Sequence, residues 1–223
     1  MEKKMNDIRA VVFDLDGTLL DTLADLADSC NATLREFNFP ERSLDEVRNF
    51  VGNGIGRLME RAVPGGESNA DFERTIIRMK EIYSENSLNK TKPYPGIMEM
   101  LDGLKKRDVK IGIVSNKPDP EVKHLASVFF ADYILPCAAV GEKESEGVRR
   151  KPAPDSVFEV LKNLSVKKEN AIYAGDSDVD IATAKNAGMP CVSVCWGFRS
   201  RDFLLEHGAK MLVSTPNEIL DLI

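Results

Sequence analysis

Short aliphatic runs alternate with helix-period stretches along most of this chain, and that alternation limits the folds open to it. Strands are expected at 9–14, 109–114, 133–136, 170–175, 191–195 and 210–213. Amphipathic helices are expected near 96–107, 119–129, 155–163, 178–187 and 215–222. Strand and helix in alternation predict an α/β fold with a parallel sheet covered on both faces. Residues 21–91 break the pattern, with helical periods but no convincing strand. One helix is expected over 23–34, and a second from Ser43, where Glu46 three residues on suits a capping box. A third is expected over 55–63 and a longer one over 69–84. Lys92-Pro93-Tyr94-Pro95-Gly96 then stops helix and returns the chain. The expected organisation is a core from 1–20 and 92–223 with an all-helical insertion at 21–91, read both as a lobe with its own core and as a lid.

Composition narrows the partners. With 223 residues, 43% apolar and 30% charged, the chain can bury a sizeable core and reads as soluble and globular. A net charge of -6 argues against a nucleic-acid surface, and Arg149-Arg150-Lys151 is too short a basic group to overturn it. The start, Met1-Glu2-Lys3-Lys4-Met5-Asn6-Asp7, is polar, and no signal-peptide or membrane-length apolar run is present, so a cytoplasmic location is expected. Cys30, Cys137, Cys191 and Cys195 lack zinc-like spacing and read as reduced, buried thiols. Neither His124 nor His207 sits in a motif, which leaves acid–base work to carboxylates or lysines.

Four strand ends carry polar residues, and in open parallel sheets ligands bind beyond the carboxyl ends of strands. The first run ends in Asp14-Leu15-Asp16-Gly17-Thr18. In extended backbone, i and i+2 face one way, so the two carboxylates share one space. At ~4 Å, like charges repel by about 4 kcal/mol at an effective dielectric of 20, which calls for a metal, a shared proton or a cation; an ordinary turn is the alternative. The second run ends in Ser115-Asn116-Lys117, where hydroxyl, amide and backbone N–H groups suit an oxyanion, or simply cap a turn. Asp155, after Lys151-Pro152-Ala153-Pro154, reads as an N-cap, with Lys151 placed from a stiff loop as the site's cation. In Gly175-Asp176-Ser177-Asp178-Val179-Asp180, Asp180 lies one turn beyond Asp176, while Asp178 points away. A calcium loop does not fit, since position twelve is Ala187 rather than Glu. Few oxygen ligands suit Mg²⁺, which keeps waters and borrows phosphate oxygens.

Together, F-D-L-D-G-T at 13–18, V-S-N at 114–116, K-P at 151–152 and G-D-S-D-V-D at 175–180 resemble the motifs of the haloacid dehalogenase superfamily, in order and across nearly the whole chain. An insertion between the first two motifs resembles the branch with a small helical cap. Within that branch, D-T-L-A-D-L-A at 21–27, V-G-N-G-I-G-R-L-M-E-R-A at 51–62, Y-P-G at 94–96 and S-N-K at 115–117 look most like phosphoglycolate phosphatases. The resemblance implies a Rossmann-like core and phosphomonoester hydrolysis with Mg²⁺. It implies Asp14 as nucleophile, forming an aspartyl-phosphate, and Asp16 as proton donor and acceptor. Metal ligation falls to Asp14, the Asp16 backbone carbonyl and Asp176, with Asp180 in support. Lys151 would neutralise Asp14 and the transferring phosphoryl group, whose oxygens Ser115, Asn116 and backbone N–H groups would hold. Asp16 argues for phosphate over halide, where the second aspartate is missing. A phosphomutase like β-phosphoglucomutase would usually carry a histidine just after the first motif, and residues 21–30 have none. The substrate is expected to be a small phosphorylated metabolite, with 2-phosphoglycolate ahead of pyrophosphate, a sugar phosphate or a nucleoside monophosphate. A non-catalytic phosphate-binding regulator is the distant alternative. In the insertion, Gly52, Asn53 and Arg57 either meet a substrate carboxylate or form a glycine-rich helix start with a solvated arginine.

Overall fold

In the computed structural model, which describes residues 7–223, the run Ala10–Phe13 is a fully buried strand, β1. The polar start, Met1–Asn6, lies outside the described residues. The described residues divide into two compact units, residues 7–20 with 93–223, and residues 21–92. It crosses between them through two short strands, β2 (Leu20–Asp21) and β3 (Lys92–Pro93), which pair with each other.

The inserted unit is helical. It holds α1 (Leu23–Glu36), α2 (Leu44–Phe50), α3 (Gly54–Ala62) and α4 (Phe72–Asn86). Ser43 caps α2 in a capping box, its hydroxyl taking the Glu46 N–H while the Glu46 carboxylate takes the Ser43 N–H at 2.8 Å. Helix α1 packs on α2 and α4, and its apolar stripe, including Leu26, Cys30 and Leu34, meets a core that also contains Leu58, Met59 and Met79. Buried Asp25 anchors the returning chain: its carboxylate accepts from the backbone N–H groups of Lys90 and Thr91 and from the Thr91 hydroxyl, at 2.8–3.0 Å.

The larger unit continues through α5 (Ile97–Lys106), β4 (Lys110–Pro118), α6 (Asp119–Phe129), β5 (Ala139–Glu142), α7 (Asp155–Leu164), β6 (Ala171–Gly175), α8 (Asp178–Ala187), β7 (Cys191–Val194), α9 (Arg201–Glu206), β8 (Met211–Val213) and α10 (Glu218–Asp221). Its six strands form one parallel sheet, ordered β5-β4-β1-β6-β7-β8. It is the expected Rossmann-like α/β architecture. The aliphatic faces of β1, β4 and β6 lie in one core with Leu101, Leu104, Val157 and Leu161 from the flanking helices. Phe13 on β1 stands opposite Ile113 on β4 and Ala174 on β6. The order reverses at β1, so the carboxyl ends of three neighbouring strands open at one switch point.

Three expectations need correction. The strand expected at 133–136 forms instead at 139–142, and Pro136 begins a 3₁₀ turn over Pro136–Ala138. Proline has no N–H for a ladder, whereas Ala139-Val140-Gly141 supplies one with small residues that a hydrophobicity scan passes over. Asp155 is the first helical residue of α7 rather than its cap, the flanking position being Pro154; its carboxylate pairs with Arg149 at 3.0 Å. Of the four unbridged cysteines, Cys30 is buried and Cys137 exposed. Among the described residues, no helix is long and apolar enough to cross a membrane.

Candidate active site

Asp14 follows β1 directly, its N–H donating to the Ala174 carbonyl at 2.9 Å, so its carboxyl stands at the end of β6 as well. Asp176 is the first residue after β6. Its Oδ2 accepts from the Phe198 N–H at 2.7 Å and its Oδ1 from the Thr18 hydroxyl at 3.4 Å. Gly17 allows this approach. It has a φ of +88°, and a Cβ there would lie 2.4 Å from Asp176 Oδ2.

Asp180 reaches the same place by a different route from the one-turn spacing expected. It is the third residue of α8, and its Oδ2 completes a capping box with the Ser177 N–H at 3.1 Å and the Ser177 hydroxyl at 2.6 Å. Its Oδ1 accepts from Lys151 Nζ at 2.8 Å and the Tyr173 hydroxyl at 3.1 Å. Asp178, by contrast, is only half-buried. Ligand atoms of Asp14, Asp176 and Asp180 all lie within 4.8 Å of one another, and all three residues are buried.

Lys151 Nζ is shared by Asp14 Oδ1 at 2.6 Å, Asp180 Oδ1 at 2.8 Å and the Tyr173 hydroxyl at 3.2 Å. Asn116 steadies the Lys151 loop by donating its amide to the Lys151 carbonyl at 3.2 Å. Ser115 does not cap a helix as its position after the strand allowed: β4 runs on to Pro118, and the Ser115 hydroxyl accepts the Lys117 N–H at 3.2 Å. Asp16 is paired with Lys117, Nζ to Oδ1 at 3.1 Å.

Charge is unbalanced here. Asp14, Asp176 and Asp180 put three carboxylates around one ammonium, Lys151. Burial pushes the Asp14 carboxyl well above the carboxylate range; Lys151 opposes this, and the charges of Asp180, Asp176 and Asp16 add to it. Asp176 is pushed up to about 7, by burial first and then by Asp180, against the Phe198 N–H, Lys151 and Arg199. Burial would lower Lys151, but Asp14 and Asp180 outweigh it and keep its pKa well above the ordinary lysine value. Asp180 already accepts four hydrogen bonds, which leaves Asp14 and Asp176 with the oxygen lone pairs a divalent cation needs. The donor set is all oxygen and negatively charged, and it fits such a cation.

Sequence reasoning placed Lys117 and Thr18 inside the quoted motifs without giving them a role, and passed over Tyr173 altogether. Two of them had a signal: Lys117 is a lone cation at a strand end, and Tyr173 is a phenol in an otherwise apolar strand, which when fully buried needs a partner. Gly52, Asn53 and Arg57 lie in the inserted unit, at the start of α3, where Gly52 has a φ of +109°. There Arg57 pairs with Glu60 and, at 3.6 Å, with Glu67.

The profile of the family described as Haloacid dehalogenase-like hydrolase matches residues 11–194. The chain belongs to this family. A phosphoglycolate phosphatase of Pseudomonas putida is 31% identical over 96% of this chain and 76% of its own length. One from Aquifex aeolicus is 30% identical over 96% of this chain and all of its own. A crystal structure from Lactobacillus delbrueckii subsp. bulgaricus superposes with a TM-score of 0.88 at 33% identity, covering 98% of each chain. This haloacid dehalogenase-like hydrolase is a phosphatase, and its buried acidic cluster could hold a divalent metal.

Proposed function

We propose that the chain is a Mg²⁺-dependent phosphatase that converts 2-phosphoglycolate to glycolate and phosphate through an aspartyl-phosphate on Asp14. The observation that carries this reading is the convergence of Asp14, Asp176 and Asp180 at the switch point of the sheet, with Lys151 paired to Asp14 and Asp180. The named relatives, at about 30% identity over nearly the whole chain, favour the substrate.

An Asp14 carboxylate oxygen attacks phosphorus, forming one P–O bond as the bond to the leaving oxygen breaks, and Asp16 delivers a proton to that oxygen. Water then attacks the phosphorus of the acyl phosphate, giving its proton to Asp16 and releasing Asp14. Lys151 favours the ionised form of Asp14 against its burial and meets the phosphoryl oxygens, with Ser115 and Asn116 beside them. Held by Asp14, the Asp16 backbone carbonyl and Asp176, with Asp180 in support, Mg²⁺ would neutralise the negative charge that these acids and a phosphate bring together.

The test is a Mg²⁺-supplemented panel comparing kcat/KM for 2-phosphoglycolate, pyrophosphate, sugar phosphates and nucleoside monophosphates. 2-Phosphoglycolate is expected to rank first. A lower rank overturns the substrate and leaves the phosphatase.

Stability of the metal-free protein offers a separate check. A carboxyl raised to about 7 when folded, against an ordinary 3.8, stabilises the fold below pH 4 and loses that contribution as pH rises through 7. One pKa unit is about 1.4 kcal/mol, and each kcal/mol moves the midpoint of a chain this size by about 2–4 °C. In chelator the melting midpoint is therefore expected to fall by roughly 5 °C or more between pH 5 and pH 8. Millimolar Mg²⁺ should recover most of the loss at pH 8. A flat profile that Mg²⁺ leaves unmoved would contradict both the cluster's charge imbalance and its metal.

A further inference from the structure

Lys117 is a buried lysine on a strand, its side chain 4% exposed, gripping Asp16 Oδ1 at 3.1 Å. Lysines are almost never fully buried unless paired. The backbone that brings it there is irregular. Between Val114, opposite Val140, and Pro118, opposite Glu142, four residue steps on β4 face two on β5. Bulges of this kind re-aim side chains and recur beside active sites. Ser115, Asn116 and Lys117, within this irregular stretch, are all buried. The bulge is held on both sides. The Lys117 N–H is taken by the Ser115 hydroxyl, and Asp119 Oδ1 accepts the Gly141 N–H at 2.9 Å. Gly141 is required for the fit, since a Cβ there would sit 2.6 Å from the Lys117 carbonyl oxygen and 2.5 Å from Asp119 Cα.

The geometry points to Lys117 as a positioning residue for Asp16. Its ammonium fixes the torsion of the site carboxyl that keeps the most exposure, 19% for Asp16 against 9% for Asp14. An ammonium donates to the carbonyl oxygen of a neutral carboxyl as well as to a carboxylate, so the grip persists as Asp16 gives up and regains its proton. Lys117 itself neither binds the phosphoryl group nor exchanges the proton. The inference rests on the proposed role of Asp16 as the group that protonates the leaving oxygen when its bond to phosphorus breaks.

The test compares kcat/KM, which reports steps through departure of the leaving group, for 2-phosphoglycolate and p-nitrophenyl phosphate. An alkoxide needs the proton and a nitrophenolate hardly does. Lys117→Met is expected to lower kcat/KM on the alkyl ester by roughly 10–100-fold and on the aryl ester by less than about threefold, with Lys117→Arg recovering most of the loss. Asp16→Asn should show the same asymmetry with a larger loss, about 10²-fold or more. If Asp16→Asn is asymmetric while the Lys117 variants lose equally on both esters, the inference fails alone. If Asp16→Asn shows no asymmetry, the role given to Asp16 fails and takes the inference with it. Should Lys117→Met not fold, Lys117→Gln, which keeps a polar side chain but removes the ammonium, decides by the same comparison of the two esters.

Discussion

Asp14→Asn is expected to lower phosphatase turnover by at least about 10⁴-fold while leaving the protein folded. The carboxamide fits where the carboxylate stands, and its oxygen can still accept from Lys151, which donates to Asp14 Oδ1 at 2.6 Å. What is lost is the nucleophile, because an amide oxygen does not form the acyl phosphate. Removing one of three crowded negative charges should leave the metal-free melting midpoint unchanged or raise it. Rapid-quench labelling with a ³²P-substrate checks the chemistry directly: the parent enzyme should trap acid-stable, hydroxylamine-labile label and the variant none. Mg²⁺-dependent hydrolysis retained in the folded variant would end the aspartyl-phosphate proposal.

Lys151→Met is expected to combine a large loss of activity with a large loss of stability. Methionine has a similar length and no charge, so Asp14 and Asp180 would remain buried without the ammonium now 2.6 and 2.8 Å away. Breaking a buried ion pair from one side costs about 3–5 kcal/mol, or roughly 6–20 °C in midpoint for a chain of this size. Turnover should fall by about 10²–10³-fold, as when one preorganised donor to a developing anion is removed. Adding Asp14→Asn to Lys151→Met should restore part of the lost stability, since the second change removes a charge the first left stranded. Additive losses in that double variant would show that Lys151 acts on the fold through something other than these carboxylates.

How far the sequence spoke depended on whether a residue's partner was local. The Ser43–Glu46 capping box reads directly because both arms lie within four residues. Ser177 and Asp180 have the same spacing, yet in a run of alternating aspartates the pattern looked like metal ligation by helix periodicity, and the cap was hidden. Asp14, Asp16, Lys151 and Asp176 stood out because carboxylates and lysines at strand ends need compensation. The pairing of Lys151 with Asp14 came only through the family resemblance; that Lys151 also serves Asp180 while Lys117 serves Asp16 depends on contacts between residues about 30 to 100 positions apart and on the bulge in β4. The strand at 139–142 escaped notice because alanine and glycine, chosen for close packing, carry no hydrophobic signature. The short helix α9 likewise lacks the length for a periodic pattern.

The pairing of β2 with β3 and the grip of Asp25 on Lys90 and Thr91 bear on how the chain assembles. The cost of closing a loop depends on the number of residues free to wander between its ends. Here each crossing strand is tied to the other, and the last residues of the insertion are tied to its first helix. For the six-stranded sheet, the whole insertion then counts in loop-closure entropy as little more than a tight turn. The length of the helical unit can change with little cost to the sheet, which is the freedom a scaffold needs if its inserted unit is to vary while its chemistry stays fixed.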